Sequence, residues 1–296
     1  VPGDSAAYIA ARGPLIEAAL EAALPPADVL PGPLHEAMRY SLFAGGKRIR
    51  PLLVMASAEA VGGDPEIILP MACAVELIHT YSLIHDDLPS MDDSALRRGS
   101  PTCHVAFGEA LAILAGDALH ALAFELAART AERAGATPTL RAIQDVAAAI
   151  GTQGMVGGQV LDLLAEGRPS LERFGAWPED RRQGVYLIHR WKTAALIRAC
   201  VRSGAILSGA TPMQLSDLTA YGEHLGLAFQ IVDDILDETG DSGVLGKLTF
   251  PFAFGLERSR AIAQEETGQA TAALAGWGSS ADVLRGLART LLIREG

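Results

Sequence analysis

The chain has 296 residues, of which 49% are apolar, 20% charged and 5% aromatic; 24 basic side chains face 35 acidic ones, for a net charge of −11. That apolar share excludes a mostly disordered chain, and the length suffices to bury a large core without disulfides or structural metals. The acidic balance excludes general nucleic-acid binding, which needs a basic footprint; an anionic substrate would need a local basic cluster or bridging metal ions.

Alanine and leucine dominate, and apolar residues recur at three- and four-residue spacing. That pattern predicts helices almost everywhere. In chain order they are expected over 6–24, 33–44, 50–61, 69–88, 103–134, 139–166, 184–207, 213–238 and 251–274. Gly- and Pro-rich punctuation separates them at 25–26, 31–33, 62–65, 99–101, 167–178, 209–212 and 240–246. The segments 69–88 and 103–128 are apolar nearly all round, which predicts places at the centre of a large bundle. Asp117, His120 and Glu125 interrupt the most apolar region, 110–128, so it reads as a buried helix rather than a membrane span. The first thirty residues lack the unbroken apolar stretch of a signal peptide. Cys73, Cys103 and Cys200 form no CxxC and read as buried free thiols in a reducing compartment. One all-α domain over 1–296 is expected, with a cytoplasmic location.

Two acidic clusters stand out. In His85-Asp86-Asp87-Leu88-Pro89-Ser90-Met91-Asp92-Asp93, four carboxylates gather at the end of a very apolar helix. Carboxylates there oppose the helix dipole and repel one another, which suggests a cation partner. A solvated acidic turn gives the same pattern. In Gln230-Ile231-Val232-Asp233-Asp234-Ile235-Leu236-Asp237, Asp233 and Asp237 are four apart and share a helix face. Such a pair suits magnesium, which takes few carboxylates from a protein; an exposed acidic stripe is the bland alternative. Facing each other across a cavity, the two clusters would hold a diphosphate through magnesium ions. Two basic patches supply matching charge: Gly45-Gly46-Lys47-Arg48-Ile49-Arg50-Pro51 and Leu96-Arg97-Arg98-Gly99. Gly46 permits close backbone approach to a phosphate, and the arginines offer forked donors. Each patch alone also fits plain surface charge. Glu76-Leu-Ile-His79 matches half of a di-iron motif, but no second copy exists.

These stretches, with His79-Thr80-Tyr81-Ser82-Leu83-Ile84 leading into the first acidic cluster, resemble the trans-polyprenyl diphosphate synthases, and most of all the bacterial farnesyl diphosphate synthase branch. The resemblance covers nearly the whole chain, in the same order. It implies an all-α bundle around a deep central cavity, working as a homodimer with no stable membrane insertion. It implies head-to-tail condensation of isopentenyl diphosphate with an allylic diphosphate (dimethylallyl or geranyl) to give farnesyl diphosphate, with magnesium as cofactor. By the same resemblance Asp86, Asp92, Asp233 and Asp237 are the metal ligands. Arg97, Lys192, Thr193, Gln230 and Lys247 would serve the allylic site, with Lys192, Thr193 and Gln230 catalytic. Gly46, Lys47, Arg50, His79 and Arg98 would form the isopentenyl diphosphate site.

Tyr81 lies five residues before Asp86, hence just over one helical turn deeper along the same wall. With Ser82 it is expected to limit product length to fifteen carbons; a geranylgeranyl (twenty-carbon) synthase is the neighbouring alternative. A class I terpene cyclase has no need of the 45–51 patch, and a non-catalytic partner subunit would have lost an acidic motif. Two departures from the family pattern stand out. Ser94 and Ala95 replace further aspartates, and 245–251 carries one Gly-Lys unit where two are usual.

Overall fold

The periodic segments close into helices that surround one long hollow. The structure is a computed structural model and describes residues 5–175, 177–239 and 247–292. The expected loop over 240–246, with the glycine of its single Gly-Lys unit, lies outside the described residues. Helices α1 (Ser5–Ala23), α2 (Gly32–Leu42), α3 (Ile49–Val61) and α4 (Leu69–Asp86) come first. A tiny hairpin follows, β1 (Leu96–Arg97) against β2 (Ser100–Pro101), with Leu96 opposite Pro101. Its two central residues, Arg98 (φ 54°) and Gly99 (φ 80°), both adopt left-handed backbone, as a tight antiparallel turn demands. Next come α5 (Cys103–Phe107), α6 (Glu109–Arg129), α7 (Ala131–Ala134), α8 (Ala136–Ile150) and α9 (Met155–Ala165). The chain ends with α10 (Arg181–His189), α11 (Ala195–Leu207), α12 (Pro212–Thr239), α13 (Phe250–Phe254), α14 (Leu256–Ala273) and α15 (Asp282–Leu292).

Helices α3, α4 and α11 are buried on most sides. Helix α4 lies along α6, α11 packs between α3, α8 and α12, and α12 lies along α14. A second apolar cluster joins Val185 and Ile188 of α10, Ile231 and Ile235 of α12, Phe250 of α13 and Ile262 of α14. It props up the half of α12 that carries the second acidic cluster.

Four expectations are corrected. The segment 251–274 is two helices, because Gly255 (φ 82°) leaves helical backbone between α13 and α14. The segment 103–134 is three helices rather than one: Gly108 (φ 85°) leaves helical backbone between α5 and α6, and Thr130 is the boundary between α6 and α7. The segment 139–166 breaks at 151–154, between α8 and α9. Helix α6 is not central: Ala112, Ala115, Gly116, Leu119 and Ala123 face inward, whereas Ile113 (44% exposed) and Leu114 (55% exposed) face outward. Its small inner residues let it approach α4 closely, while Leu119 and Leu126 are buried with them and Ile113 and Leu114 stay outside. By length and composition alone, Glu109–Ala134 could cross a membrane.

Candidate active site

A cavity of about 860 Å³ runs into the bundle. Of the sixteen residues singled out in the sequence, fifteen line it: Gly46, Lys47, Arg50, His79, Tyr81, Ser82, Asp86, Arg97, Arg98, Lys192, Thr193, Gln230, Asp233, Asp237 and Lys247. Asp92 stands just behind this wall, where its Oδ2 accepts from Lys247 Nζ at 2.5 Å. The two acidic clusters therefore border one shared hollow.

The first acidic ledge is the C-terminal end of α4 and the loop after it. The backbone N–H of Asp92 returns to the carbonyl of Asp86 at 2.9 Å, which brings the two carboxylates together. Arg168 clamps this loop by donating to the carbonyls of Ser90 and Met91. Asp86 accepts from Gln159 Nε2 at 2.5 Å and lies 3.7 Å from Lys192 Nζ. Burial lifts Asp86 above the usual carboxylate range, with Asp92 adding to the rise against the pull of Lys192 and Lys247. The second ledge is the end of α12. There burial, then Asp234, raises Asp237, while Lys247 and Arg97 pull it down. Lys247 and Arg97 thus feel carboxylates of both ledges. Asp92 Oδ1 is buried with no hydrogen-bond partner. A hard oxygen donor left unsatisfied in that place fits a divalent cation such as magnesium.

Lys192 and Thr193 sit on a π-helical turn, Arg190–Ala194, between α10 and α11. The N–H of Ala195 reaches back to the carbonyl of Arg190, which inserts one extra residue into the helix. Helices α9 and α12 press on this turn at glycines. A methyl at Gly158 would stand 2.3 Å from Lys192 N, and one at Gly226 would stand 2.5 Å from Ala194 Cα. Lys192 Nζ bonds Asp162 Oδ2 at 2.7 Å. Burial opposes its charge, but Asp162 and Asp86 outweigh burial and hold its pKa above the ordinary lysine value. Thr193 donates to Gln230 Oε1 at 2.7 Å.

The basic wall comes from 45–51 and the β1–β2 hairpin. Arg48 turns inward: its guanidinium bonds Glu17, Glu76 and the carbonyl of Leu42. It is a structural cation, and Glu76 is its partner rather than a metal ligand. Arg50 and Arg98 remain for a ligand. Burial lowers the pKa of Arg50 against the pull of Glu76. Burial lowers that of Arg98 too, with Arg48, Arg97 and Arg50 adding repulsion. Arg50 lies over the Phe229 ring at 6.0 Å, with its Nε buried and unpartnered. Burial and the four neighbouring arginines, Arg50 first, push His79 well below its ordinary value, so it is neutral. Gly46 adopts φ 142°, and a methyl there would stand 2.7 Å from Arg98 Nη1. Arg97 is clamped by Asp87 through Nε and Nη2 at 2.6–3.1 Å, which leaves its Nη1 outside the clamp.

Between these polar walls the lining is apolar, with Met155, Val160, Leu163, Leu196 and Phe229 among its members. Tyr81 lines the cavity from α4, with its ring against His120 of α6, which Phe124 meets in turn.

Sequence reasoning missed Gln159 and Asp162, which line the cavity from α9. They lie three apart, hence on one face of an otherwise apolar helix, and that was the available signal. It also missed His189, whose Nε2 bonds Asp234 Oδ2 at 2.7 Å; nothing in the linear pattern marks that pair.

The sequence matches the family described as polyprenyl synthetase over residues 31–251. The chain is 45% identical over 288 residues to geranylgeranyl pyrophosphate synthase 12, chloroplastic, of Arabidopsis thaliana, covering 94% of this chain and 78% of that one. It is 43% identical to a geranylgeranyl diphosphate synthase of Cyanophora paradoxa, over 85% of this chain and 84% of that one. Among solved structures, an FPP/GFPP synthase from Zymomonas mobilis superposes with a TM-score of 0.88 at 40% identity, covering 98% and 99% of the two chains. A geranyltransferase from Legionella pneumophila gives 0.86 at 35% identity, covering 98% and 96%. The chain belongs to the polyprenyl synthetase family, with the all-α fold of that family, and is a prenyltransferase.

Proposed function

We propose that the chain condenses isopentenyl diphosphate with dimethylallyl and geranyl diphosphate to make farnesyl diphosphate. The observation that carries this reading is the shared cavity: both acidic ledges, the basic wall and an apolar floor border one hollow. A terpene cyclase has no use for Arg50, Arg98 and His79 gathered as a second anion pocket.

Asp86, Asp92, Asp233 and Asp237 would hold magnesium ions, whose charge would neutralise the departing diphosphate as a Lewis acid does. Among the described residues, no three His, Cys, Asp or Glu side chains cluster tightly enough to hold a metal by themselves, so diphosphate oxygens would complete each cation site. Lys192, Arg97 and Lys247 would bind the allylic diphosphate. Their fixed positive charges favour the state in which its C–O bond has broken. The allylic cation left behind must not meet water, and the apolar lining excludes it. Arg50, Arg98, His79, Lys47 and the backbone at Gly46 would hold isopentenyl diphosphate with its double bond towards that cation. Holding both substrates in attack geometry supplies much of the rate. Thr193 and Gln230 would face the cation with oxygen atoms, and the released diphosphate takes the final proton.

The fifteen-carbon product rests on Tyr81, which lines the cavity and is backed by His120. A twenty-carbon product is the second reading, and the names carried by the Arabidopsis and Cyanophora relatives favour it. The outward apolar face of α6 supports a homodimer, and the buried free thiols of Cys73, Cys103 and Cys200 support a cytoplasmic setting. The test is to incubate the purified chain with isopentenyl diphosphate, each allylic diphosphate and magnesium, and to chromatograph the products. Farnesyl diphosphate as the main product is expected; geranylgeranyl diphosphate supports the second reading, and no condensation overturns both.

A further inference from the structure

Asp234, the middle carboxylate of the second cluster, is buried with 5% exposure. Its oxygens are taken by protein donors. Oδ2 accepts from His189 Nε2 at 2.7 Å and from the backbone N–H of Phe250 at 2.9 Å. Oδ1 accepts from Gln230 Nε2 at 3.1 Å. A carboxylate only accepts. Gln230 must therefore turn its amide nitrogen to Asp234 and its oxygen to Thr193, whose hydroxyl lies 2.7 Å away. An amide oxygen only accepts, so the single proton of Thr193 points at Gln230. Whatever else Thr193 Oγ1 faces meets lone pairs.

We propose that Asp234 is a positioning residue that sets the direction of this hydrogen-bond chain, so that Thr193 and Gln230 present electron-rich oxygen to the cavity where the allylic cation forms. The assignment rests on the functional reading above and deepens it. Reversal of the chain would turn the hydroxyl hydrogen of Thr193 towards that cation. A dipole aimed at developing charge is among the larger levers in catalysis, and its reversal changes sign rather than merely removing a contact. The same carboxylate anchors Phe250, three residues after Lys247, which ties the chain's direction to the segment bearing that lysine.

The test is Asp234→Asn, alone and with Gln230→Glu, assayed for kcat and KM beside the wild-type chain. The substituted amide has one acceptor oxygen. If that oxygen keeps His189 and Phe250, the amide nitrogen faces Gln230, which flips and offers Thr193 a donor. The expected result is a kcat lower by about 100-fold, typical of a lost cation- or oxyanion-facing group, with KM for both diphosphates within about twofold. In the double variant, the introduced carboxylate accepts from both the introduced amide and Thr193. Every hydrogen bond is matched, the net charge is that of the wild type, and the direction is restored. It is expected to fold even if the single variant does not, and to recover at least about tenfold in kcat over the single variant, or to lie within about tenfold of wild type where the single variant does not fold. Wild-type kcat in Asp234→Asn, or a double variant no better than the single, overturns the assignment and leaves the functional reading standing. A wild-type chain that condenses no prenyl diphosphates overturns both.

Discussion

The phenol ring of Tyr81 lies on the imidazole of His120 with centroids 4.5 Å apart, and Phe124 meets the same imidazole edge-on at 5.4 Å. The cavity wall at Tyr81 therefore has two layers, one from α4 and one from α6. Tyr81→Ala opens the first layer only. Its products should shift from fifteen to twenty carbons, and Tyr81→Ala with His120→Ala should extend them further. Reverse-phase chromatography of the dephosphorylated products reads this directly. An unchanged distribution in both variants removes the ruler role from this wall.

Gly158 and Gly226 let α9 and α12 touch the backbone of the π turn. Gly158→Ala sets a methyl against Lys192 N and Cα, at 2.3 and 2.7 Å before any movement. Backbone atoms cannot swing aside, so the turn must shift. Overpacking of this kind costs about 1–3 kcal/mol of stability. A displacement near 1 Å at Lys192 and Thr193 should also lower kcat by about 100-fold. Steady-state kinetics and thermal unfolding check both. A variant with unaltered kcat shows that the turn's position is not critical.

Glu76 and Arg48 form a buried ion pair at 2.9 Å, with both side chains about 5% exposed. Glu76→Ala leaves the guanidinium with only the half-exposed Glu17 as its ionic partner. Loss of one member of a buried pair costs roughly 3–5 kcal/mol. Urea unfolding should show that loss as a lower midpoint at an unchanged slope. A change under about 0.5 kcal/mol, typical of a surface site, contradicts the structural role of Arg48.

His79 is neutral in the folded protein because burial and the surrounding arginines lower its pKa well below 6.5. The unfolded chain binds a proton there near its ordinary value. Below about pH 6.5 the unfolded state therefore holds more protons, and lowering the pH costs about 1.4 kcal/mol of stability per unit from this group. Above that pH the contribution is flat. His79→Gln should remove that component from the pH dependence of unfolding measured without ligands. A slope unaltered by the substitution places the acid sensitivity elsewhere.

Helices bounded by proline or glycine, such as α3 and α4, were legible because apolar spacing and punctuation agree there. Helix α15 was not, since Leu284, Leu287 and Ala288 follow a Gly- and Ser-rich stretch that masks its start. The break at Gly108 was hidden by flanks that favour helix on both sides. At the site, carboxylates and cations beside apolar helices announced themselves. Their division of labour did not. Asp86 and Asp87 are adjacent, yet one faces the cavity and the other clamps Arg97, a difference set by helix rotation and long-range packing. The partners Gln159, Asp162 and His189 lie 73, 30 and 45 residues from the groups they bind, a distance no local pattern spans.

Titration calorimetry of geranyl diphosphate into the isolated chain, with magnesium and with chelator, compares wild type with Asp86→Asn and Asp233→Asn. If both ledges grip one diphosphate, binding requires the metal, and each substitution weakens it by at least about tenfold, or about 1.4 kcal/mol. Equal affinity in chelator, or wild-type affinity in Asp233→Asn, contradicts the joint site.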